Sequence, residues 1–258
     1  MEVTLLNPEQ IQNIFKEWGN FACECYATDK KYAERVGQKC FESEHFSGSR
    51  TEYFKFKIED IDRGVMEQAL RHEIGVRSLP FNESTYDENP SNIVKNMKSF
   101  RYVDMKDFKY TVPKLIENNK EAKLEYDTIM KRINLSKNKI IKYLTDDGID
   151  EKQAIEDANF LLPRATQTSA CIAFTLEALI HYLHKRLCTR SQTEHVELAT
   201  LMRDKVLEVL PQLKDVLIPQ CEYLLWCPEG DKCCGRKPTK NKLEMKLKGD
   251  LNEDYKKS

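Results

Sequence analysis

The chain has neither a strong excess of charge nor a long apolar run. Its 258 residues include 41 basic and 42 acidic side chains, so the formal net charge is −1. This balance gives no argument for a nucleic acid polymer as partner, which would require a local basic patch. No apolar stretch approaches the roughly 20 residues that span a bilayer, and the first residues resemble no secretory signal. We therefore expect a cytoplasmic protein with no membrane partner.

Glycine is scarce and dispersed, and the cysteines are odd in number. The nine glycines form no phosphate-binding loop, and no Ser-His-Asp or Cys-His arrangement has a recognisable context. Nine cysteines do not suit a disulfide framework, so we expect reduced thiols. Four of them lie near the C-terminus with the spacing C-x5-C-x5-C-C, a weak zinc signal for which free thiols are the alternative. We predict no metal site.

Strand-like patterns come early in the chain and helical patterns come late. Residues 53–58 alternate apolar and charged side chains, which predicts a strand with one solvent-exposed face. The segment 60–62 offers a cap for a helix that ends near residue 71. Residues 7–19 predict a first helix, and residues 20–50 are expected to be irregular. Four further helices are predicted over residues 114–145, 150–161, 166–188 and 191–217.

This order of elements predicts an α+β fold, with strands in the N-terminal half and long helices in the C-terminal half. Residues 1–218 are predicted to form a single domain. Residues 219–258 are predicted to be a Cys/Lys-rich tail, because they contain few apolar residues.

The predicted helix over residues 166–188 carries polar residues on an otherwise apolar surface. Glu177 and His181 are four residues apart and share a helical face. Because burial of either without a partner is costly, we expect them to face each other, a cofactor or a subunit interface. A structural pair without a ligand is the alternative. His184 and Cys188 continue the stripe, but three ligands on one helix make a poor tetrahedral metal site.

Three segments in order resemble the flavin-dependent thymidylate synthase family. The first, over residues 45–72, contains a His-x-Ser, a Phe-x-Phe strand and an Arg-x-Val-x-x-Gln-x-x-Arg-His run. The second, over residues 162–194, contains a Leu-Pro step and then Leu-Ile-His-Tyr-Leu-His-Lys-Arg. The third, over residues 227–235, contains Cys-Pro-Glu-Gly and Cys-Gly, which is similar to the C-terminal segment of some members.

The resemblance implies an α+β fold, a homotetramer with active sites built between subunits, and reductive methylation of dUMP to dTMP. In that reaction methylenetetrahydrofolate supplies the carbon, and FAD reduced by NADPH supplies the hydride. No cysteine nucleophile is required. The flavin carries the chemistry, and the protein positions it and tunes its electrostatics.

The resemblance also assigns residues to the flavin and the nucleotide. Arg186 is the implied catalytic residue, favouring ionisation of the uracil ring, because a guanidinium stays charged and donates two parallel hydrogen bonds. The implied cofactor-binding residues are Ser47, Arg71, His72, Glu73, Thr175, Glu177 and His181. The implied substrate-binding residues are Gln68, Arg71, Glu83, Ser84 and Arg186.

Several implied flavin positions depart from the family pattern. Glu73 stands where the family has a flavin-contacting arginine, so a cation has become an anion. Thr175 and Glu177 replace an asparagine and an arginine at the flavin. Arg50 replaces an expected glutamate, which suggests that Arg50 and Glu73 form a swapped ion pair.

Further departures fall at the nucleotide. Asn159 replaces an arginine that contacts the nucleotide, and the loop over residues 77–86 lacks its phosphate-binding arginine. Arg77 and Arg164 could supply part of the lost positive charge. Three hypotheses stay open: an active thymidylate synthase, an enzyme that methylates another uracil nucleotide, and a non-catalytic flavin- or nucleotide-binding assembly. The third is motivated by Glu73 and Glu177, because anions near flavin phosphates weaken binding.

Overall fold

The computed structural model describes residues 1–70, 93–101, 105 and 107–247. The chain divides into two compact units: the first unit comprises residues 1–6 and 55–173, and the second unit comprises residues 7–54 and 174–258. No helix in the described part of the chain is long and apolar enough to cross a membrane. The predicted boundary at residue 218 stays a prediction.

Strands and helices are both present, which confirms the predicted α+β class. The strands are β1 Glu2–Leu5, β2 Phe54–Asp62, β3 Ile93–Met97 and β4 Gln167–Phe174. Within the described residues the helices are α1 Pro8–Ile11, α2 Ile14–Cys25, α3 Ala33–Glu42, α4 Arg63–Leu70, α5 Lys114–Glu117, α6 Lys120–Asp146, α7 Glu151–Ala158, α8 Leu176–Arg186, α9 Thr193–Leu207, α10 Gln220–Tyr223 and α11 Lys240–Leu247.

The strands form one sheet in the order β1-β2-β4-β3. β1 pairs antiparallel with β2, and Val3 lies opposite Ile58. Phe54, Phe56 and Ile58 are fully buried, whereas the lysines between them are exposed. The alternation predicted for residues 53–58 is therefore confirmed, and the strand continues to the residue that caps α4. There the Asp62 carboxylate accepts a hydrogen bond from the backbone N–H of Val65 at 2.8 Å.

The predicted helix over residues 166–188 is wrong in its first half, which is β4. Along this strand Thr168, Ala170 and Ile172 are buried, and the residues between them are more exposed. Alanine and cysteine occupy some of the exposed positions, so the period of two that marks a strand was hidden in the sequence. The helix α8 begins only after β4 ends.

The prediction of irregular structure for residues 20–50 is also wrong, because α2 extends to Cys25 and α3 follows it. Two glycines let these helices pack backbone to backbone. A Cβ atom on Gly19 would lie 1.6 Å from the Ala33 carbonyl oxygen, and one on Gly37 would lie 1.8 Å from the Phe15 carbonyl oxygen. Such glycine-mediated contacts depend on residues distant in sequence, so no local pattern reveals them.

The long helix α6 packs in the first unit with an unusual buried amine. Asn119 caps the helix by accepting from the backbone N–H of Ala122 at 2.9 Å. Lys137 is fully buried, and its Nζ donates to the Met105 carbonyl oxygen at 2.6 Å. The predicted helix after it is confirmed as α7, which ends at Ala158 and continues as a 3-10 turn over Asn159–Leu161.

Candidate functional site

Helix α8 of the second unit contains three of the predicted site residues, and a fourth, Thr175, is its N-cap. Thr175 is fully buried, and its hydroxyl accepts a hydrogen bond from the backbone N–H of Ala178 at 3.4 Å. This bond caps the helix, so Thr175 has a local structural function, and its role at the flavin stays a prediction. An acidic residue lies in the first turn and Arg186 in the last. This arrangement suits the helix dipole.

Glu177 is paired with Arg50 on a second segment of the same unit. The Arg50 Nε donates to the Glu177 carboxylate at 3.0 Å, and Nη2 lies 2.9 Å from the same oxygen. The two side chains are 53% and 37% exposed. Arg50 belongs to the 3-10 segment Phe46–Thr51, which also contains Ser47. The segment and the first turn of α8 are thereby joined by an ion pair.

This contact bears on two predictions. Arg50 was expected to pair with Glu73, which lies outside the described residues, so that pairing stays a prediction; the Arg50 guanidinium contacts Glu177. Glu177 was expected to face His181, a cofactor or a subunit interface, and its partner is an arginine 127 residues away in sequence. No sequence signal links residues so far apart, although the two departures from the family pattern have opposite charge.

His181 lies one turn after Glu177 and is half-buried. Burial, followed by the nearby Lys185 and His184, lowers the pKa of His181 below its ordinary value of 6.5. Its imidazole is therefore neutral at pH 7, with one nitrogen able to donate and the other able to accept.

His184, the next histidine on α8, has a structural function. It is buried, its Nε2 lies 2.9 Å from the Val216 carbonyl oxygen, and its ring lies 4.9 Å from the ring of Tyr223. Burial lowers its pKa, which favours the neutral ring. Within the described ranges, no three His, Cys, Asp or Glu side chains are arranged to hold a metal ion. The nine cysteines are free thiols.

Arg186, the predicted catalytic residue, lies at the C-terminal end of α8. Its side chain is half-buried, and its Nε is buried without a hydrogen-bond partner among the described residues. Buried donors are nearly always paired in folded proteins. An unpartnered guanidinium N–H is therefore a donor available to a ligand, which fits the role that the sequence predicts.

The remaining predicted site residues are less fully described. Gln68 lies on α4 of the first unit. Ser47 lies in the 3-10 segment, and Arg71, His72, Glu73, Glu83 and Ser84 lie outside the described residues, as does Arg77. Arg164, which could have supplied positive charge to the nucleotide, is 70% exposed, and its Nε lies 3.4 Å from Glu67.

The first unit also contains a cavity that the sequence did not reveal. Its volume is about 640 Å³. Asn159, the residue that replaces the family arginine, lies in its wall. The other residues of interest in the wall are Arg63, Lys98, Phe100, Arg101 and Phe160. The cavity is assembled from β3, the segment that follows it and the end of α7, so its walls come from separate stretches of chain.

The chain matches a known family over most of its length. The family model "Thymidylate synthase complementing protein" matches residues 10–212. A flavin-dependent thymidylate synthase of Nitratidesulfovibrio vulgaris is 32% identical over 203 residues, which cover 78% of this chain and 76% of the relative. One from Clostridium tetani is 28% identical over 200 residues, which cover 74% of this chain and 73% of the relative.

A solved structure is also similar. It is the flavin-dependent thymidylate synthase of Helicobacter pylori complexed with FAD and dUMP, 17% identical with a TM-score of 0.49, and the match covers 80% of this chain and 93% of that chain. The family model and the Nitratidesulfovibrio relative each span more than two thirds of this chain. The chain therefore belongs to the flavin-dependent thymidylate synthase family.

Proposed function

We propose that this chain catalyses the FAD-dependent reductive methylation of dUMP to dTMP, with methylenetetrahydrofolate as carbon donor and NADPH as reductant. The observation that carries this proposal is Arg186, whose buried Nε has no partner in the described part of the chain. It lies on the same helix as the neutral His181. The relatives from Nitratidesulfovibrio vulgaris and Clostridium tetani, both flavin-dependent thymidylate synthases, support the flavin cofactor and the reaction.

Arg186 acts on the nucleotide through its permanent charge. A guanidinium beside the uracil ring stabilises the negative charge that develops when the ring is ionised. Its planar fork donates two parallel hydrogen bonds, so it orients the ring as well as polarising it. Arg186 is therefore proposed as the catalytic residue, and Gln68, Arg71, Glu83 and Ser84 are proposed to bind the nucleotide.

FAD, when bound, supplies the hydride. The residues proposed to hold it are Ser47, Arg71, His72, Glu73, Thr175, Glu177 and His181. Glu177 would be expected to repel flavin phosphates, but Arg50 contacts its carboxylate at 2.9 Å. The pair is close to neutral as a unit, so the loss of a cation on α8 is offset by a cation on the Phe46–Thr51 segment. This is the main reason to favour flavin binding over a non-catalytic assembly.

A second candidate substrate is another uracil nucleotide. Asn159 stands at a family nucleotide contact, and its Nδ2 donates to the Phe100 carbonyl oxygen at 2.6 Å. A neutral side chain engaged with the backbone cannot replace the charge of an arginine, so the phosphate group is recognised differently here. We also propose that the chain forms a homotetramer with shared active sites and acts in the cytoplasm.

The decisive experiment is product analysis. The purified full chain is supplied with FAD, NADPH, methylenetetrahydrofolate and dUMP, and dTMP is measured by chromatography beside a control enzyme of the family. The expected result is a yellow protein that forms dTMP. Other uracil nucleotides tested in parallel distinguish the second candidate, which predicts a methylated product only with one of them. A colourless protein that cannot be reconstituted with FAD and forms no product would contradict the proposed function.

A further inference from the structure

The segment Phe46–Thr51 begins on a cluster of aromatic rings. Trp18 on α2 is only 1% exposed, and its ring centre lies 6.0 Å from that of Phe46. The ring centre of Phe41 on α3 lies 6.2 Å from that of Phe46 and 6.4 Å from that of Trp18, edge to face with both. Ring pairs at such distances attract each other in defined orientations. The first residue of the segment is therefore held by rings from two helices.

Gly48, two residues further on, brings the backbone of the segment against the Trp18 ring. A Cβ atom at residue 48 would lie 2.3 Å from Trp18 Cδ1 and 2.5 Å from Nε1. Carbon atoms in contact are normally about 3.5 Å apart, so a methyl group here would force the ring and the segment about 1 Å further apart. The backbone of Gly48 is not in the left-handed region. This glycine is therefore required by the space in front of the ring and not by its backbone conformation.

The Trp18 ring cannot readily move aside to make room for a side chain. The indole is rigid, and it packs against three phenylalanines of the same unit. Closely packed interiors transmit a displacement instead of absorbing it. The segment lies nearer the surface than the ring, since Gly48 is half-buried and Arg50 is exposed. A side chain at residue 48 would therefore displace the segment and leave the ring in place.

The same segment carries one partner of the ion pair at α8. Arg50 lies two residues after Gly48, and its guanidinium contacts the Glu177 carboxylate at 2.9 and 3.0 Å. A shift of about 1 Å is enough to break hydrogen bonds of that length. An ion pair this exposed contributes little stability, so it cannot hold the segment in place by itself. The buried contacts with Trp18 set the position of the segment, and the ion pair depends on that position.

Loss of this ion pair would have an electrostatic consequence for the site. Glu177 is among the residues proposed to hold FAD, and it stands where the resemblance implies an arginine. While Arg50 contacts it, the two charges nearly cancel. If the segment moved away, an unpaired carboxylate would remain at the start of α8, and its charge would oppose the binding of flavin phosphates. The position of the segment therefore affects the affinity for FAD through Arg50.

We propose that Trp18 and Gly48 are positioning residues of the α8 site, which fix the Phe46–Thr51 segment against α2 so that Arg50 meets Glu177. The indole supplies a rigid surface, and the glycine leaves the space in which the backbone can lie on that surface. Both residues act through the segment and not on the flavin itself. That this placement serves FAD binding rests on the proposed function, whereas the placement of Arg50 does not depend on it.

The first test is a double-mutant cycle on the full chain, with FAD affinity measured by flavin fluorescence titration. Gly48→Ala adds the methyl group that the ring excludes and should weaken FAD binding by about tenfold. Trp18→Leu replaces the ring by a flexible side chain and should weaken binding by about threefold. The double variant Gly48→Ala/Trp18→Leu should bind FAD no more weakly than Trp18→Leu alone, because the methyl group then has room. Trp226→Leu, in the same unit, is the matched control and should leave FAD affinity unchanged.

A second cycle separates positioning from a general loss of stability. Arg50→Gln removes the group that the segment positions, so adding Gly48→Ala to it should weaken FAD binding by no more than about twofold further. A glycine that only supported the fold would cost the same affinity with or without Arg50. Circular dichroism and urea titration establish that each variant is folded under the conditions of the measurement. The proposal is overturned if Gly48→Ala binds FAD as tightly as the Trp226→Leu control, or if its effect is the same in the Arg50→Gln background.

The placement of Arg50 can also be measured without FAD, so the two proposals fail in different ways. Crystal structures of the flavin-free chain and of its Gly48→Ala variant should show the Arg50 contact with Glu177 in the first and not in the second. If the chain binds no FAD but the variant loses this contact, the proposed function fails and the positioning role stands. If the chain makes dTMP and Gly48→Ala keeps both the contact and the FAD affinity, the positioning role fails and the proposed function stands.

Discussion

The first turn of α8 and the cavity of the first unit handle charge in opposite ways. At α8 the carboxylate of Glu177 is in direct contact with the guanidinium of Arg50, so the two charges balance. In the cavity the basic residues outnumber the acidic ones, and a buried amide oxygen of Asn159 has no partner in the described part of the chain. A balanced pair exerts little net field on a ligand, whereas an excess of basic side chains favours anions over cations.

The chain departs from its expected family pattern at both places. At residues 50 and 177 both side chains differ in charge from that pattern, and here they pair with each other. At residue 159 a neutral residue stands where the resemblance implies a cation, and its amide is engaged by the Phe100 carbonyl oxygen. We therefore expect substitutions at residues 50 and 177 to be non-additive, with each rescued by the matching change in its partner.

The largest expected effect is on kcat, and it tests whether Arg186 acts in the chemical step rather than in flavin binding. Arg186→Gln should lower kcat by about a hundredfold or more, the usual result of removing a group that stabilises charge in a transition state, while flavin absorbance stays unchanged. Arg203→Gln on α9 is the control and should behave as the unmodified chain. An Arg186→Gln variant with normal kcat would contradict the catalytic role proposed for Arg186.

A charge-exchange cycle tests the balanced pair. Arg50→Glu and Glu177→Arg each bring two like charges within contact distance, so each should weaken FAD binding by about tenfold. The double variant Arg50→Glu/Glu177→Arg restores opposite charges and should recover affinity to within about threefold, measured by flavin fluorescence titration. The control is the same charge exchange at Lys205 and Glu208, which pair at 2.8 Å on the surface. It should leave FAD affinity unchanged. A double variant no better than the singles would show that the two residues act independently.

The smallest expected effect is on stability in acid, and it arises from two histidines of the second unit. Burial lowers the pKa of both His181 and His184 in the folded chain. The unfolded chain therefore binds more protons as pH falls through 6.5, and the free energy of unfolding should decrease from there towards the folded pKa values. His184→Gln should flatten this dependence. Urea titrations between pH 5 and 8 measure the free energy of unfolding at each pH. If its dependence on pH is the same in the variant, His184 does not contribute to the loss of stability in acid.

The probe for that experiment is built into the sequence. Both tryptophans, Trp18 and Trp226, lie in the second unit. Trp18 packs against Phe15 and Phe41 with ring centres 6.5 and 6.4 Å apart. Intrinsic tryptophan fluorescence therefore follows the unit that contains α8, and the first unit contributes no signal of this kind.

Local features of the fold could be predicted from the sequence, and long-range features could not. The alternation in β2 and the cap at Asp62 depend on neighbouring residues, so the strand and the helix after it were predicted. β4 was mistaken for a helix because alanine and cysteine occupy some of its exposed positions. The pairing of α2 with α3 depends on Gly19 and Gly37, whose role appears only once the two backbones touch.

The same distinction holds for the candidate site. The spacing of His181 and Arg186 on one helix, and their family motif, follow from a short run of sequence. The Arg50 contact to Glu177 spans 127 positions, and the contact from Asn159 to Phe100 spans 59. Partners so far apart in sequence cannot be predicted from local patterns, because their contact depends on the tertiary fold.

The buried amine of Lys137 gives the first unit a chemical reporter of its own. Amine-reactive reagents need a free, solvent-accessible nitrogen, and this Nζ is held at 2.6 Å from a backbone carbonyl oxygen in a fully buried side chain. Exposed lysines acylate at once, whereas Lys137 can acylate only when its Nζ separates from the Met105 carbonyl oxygen and becomes exposed. Mass-spectrometric timing of that one modification therefore measures how often the first unit opens, independently of the tryptophans in the second unit.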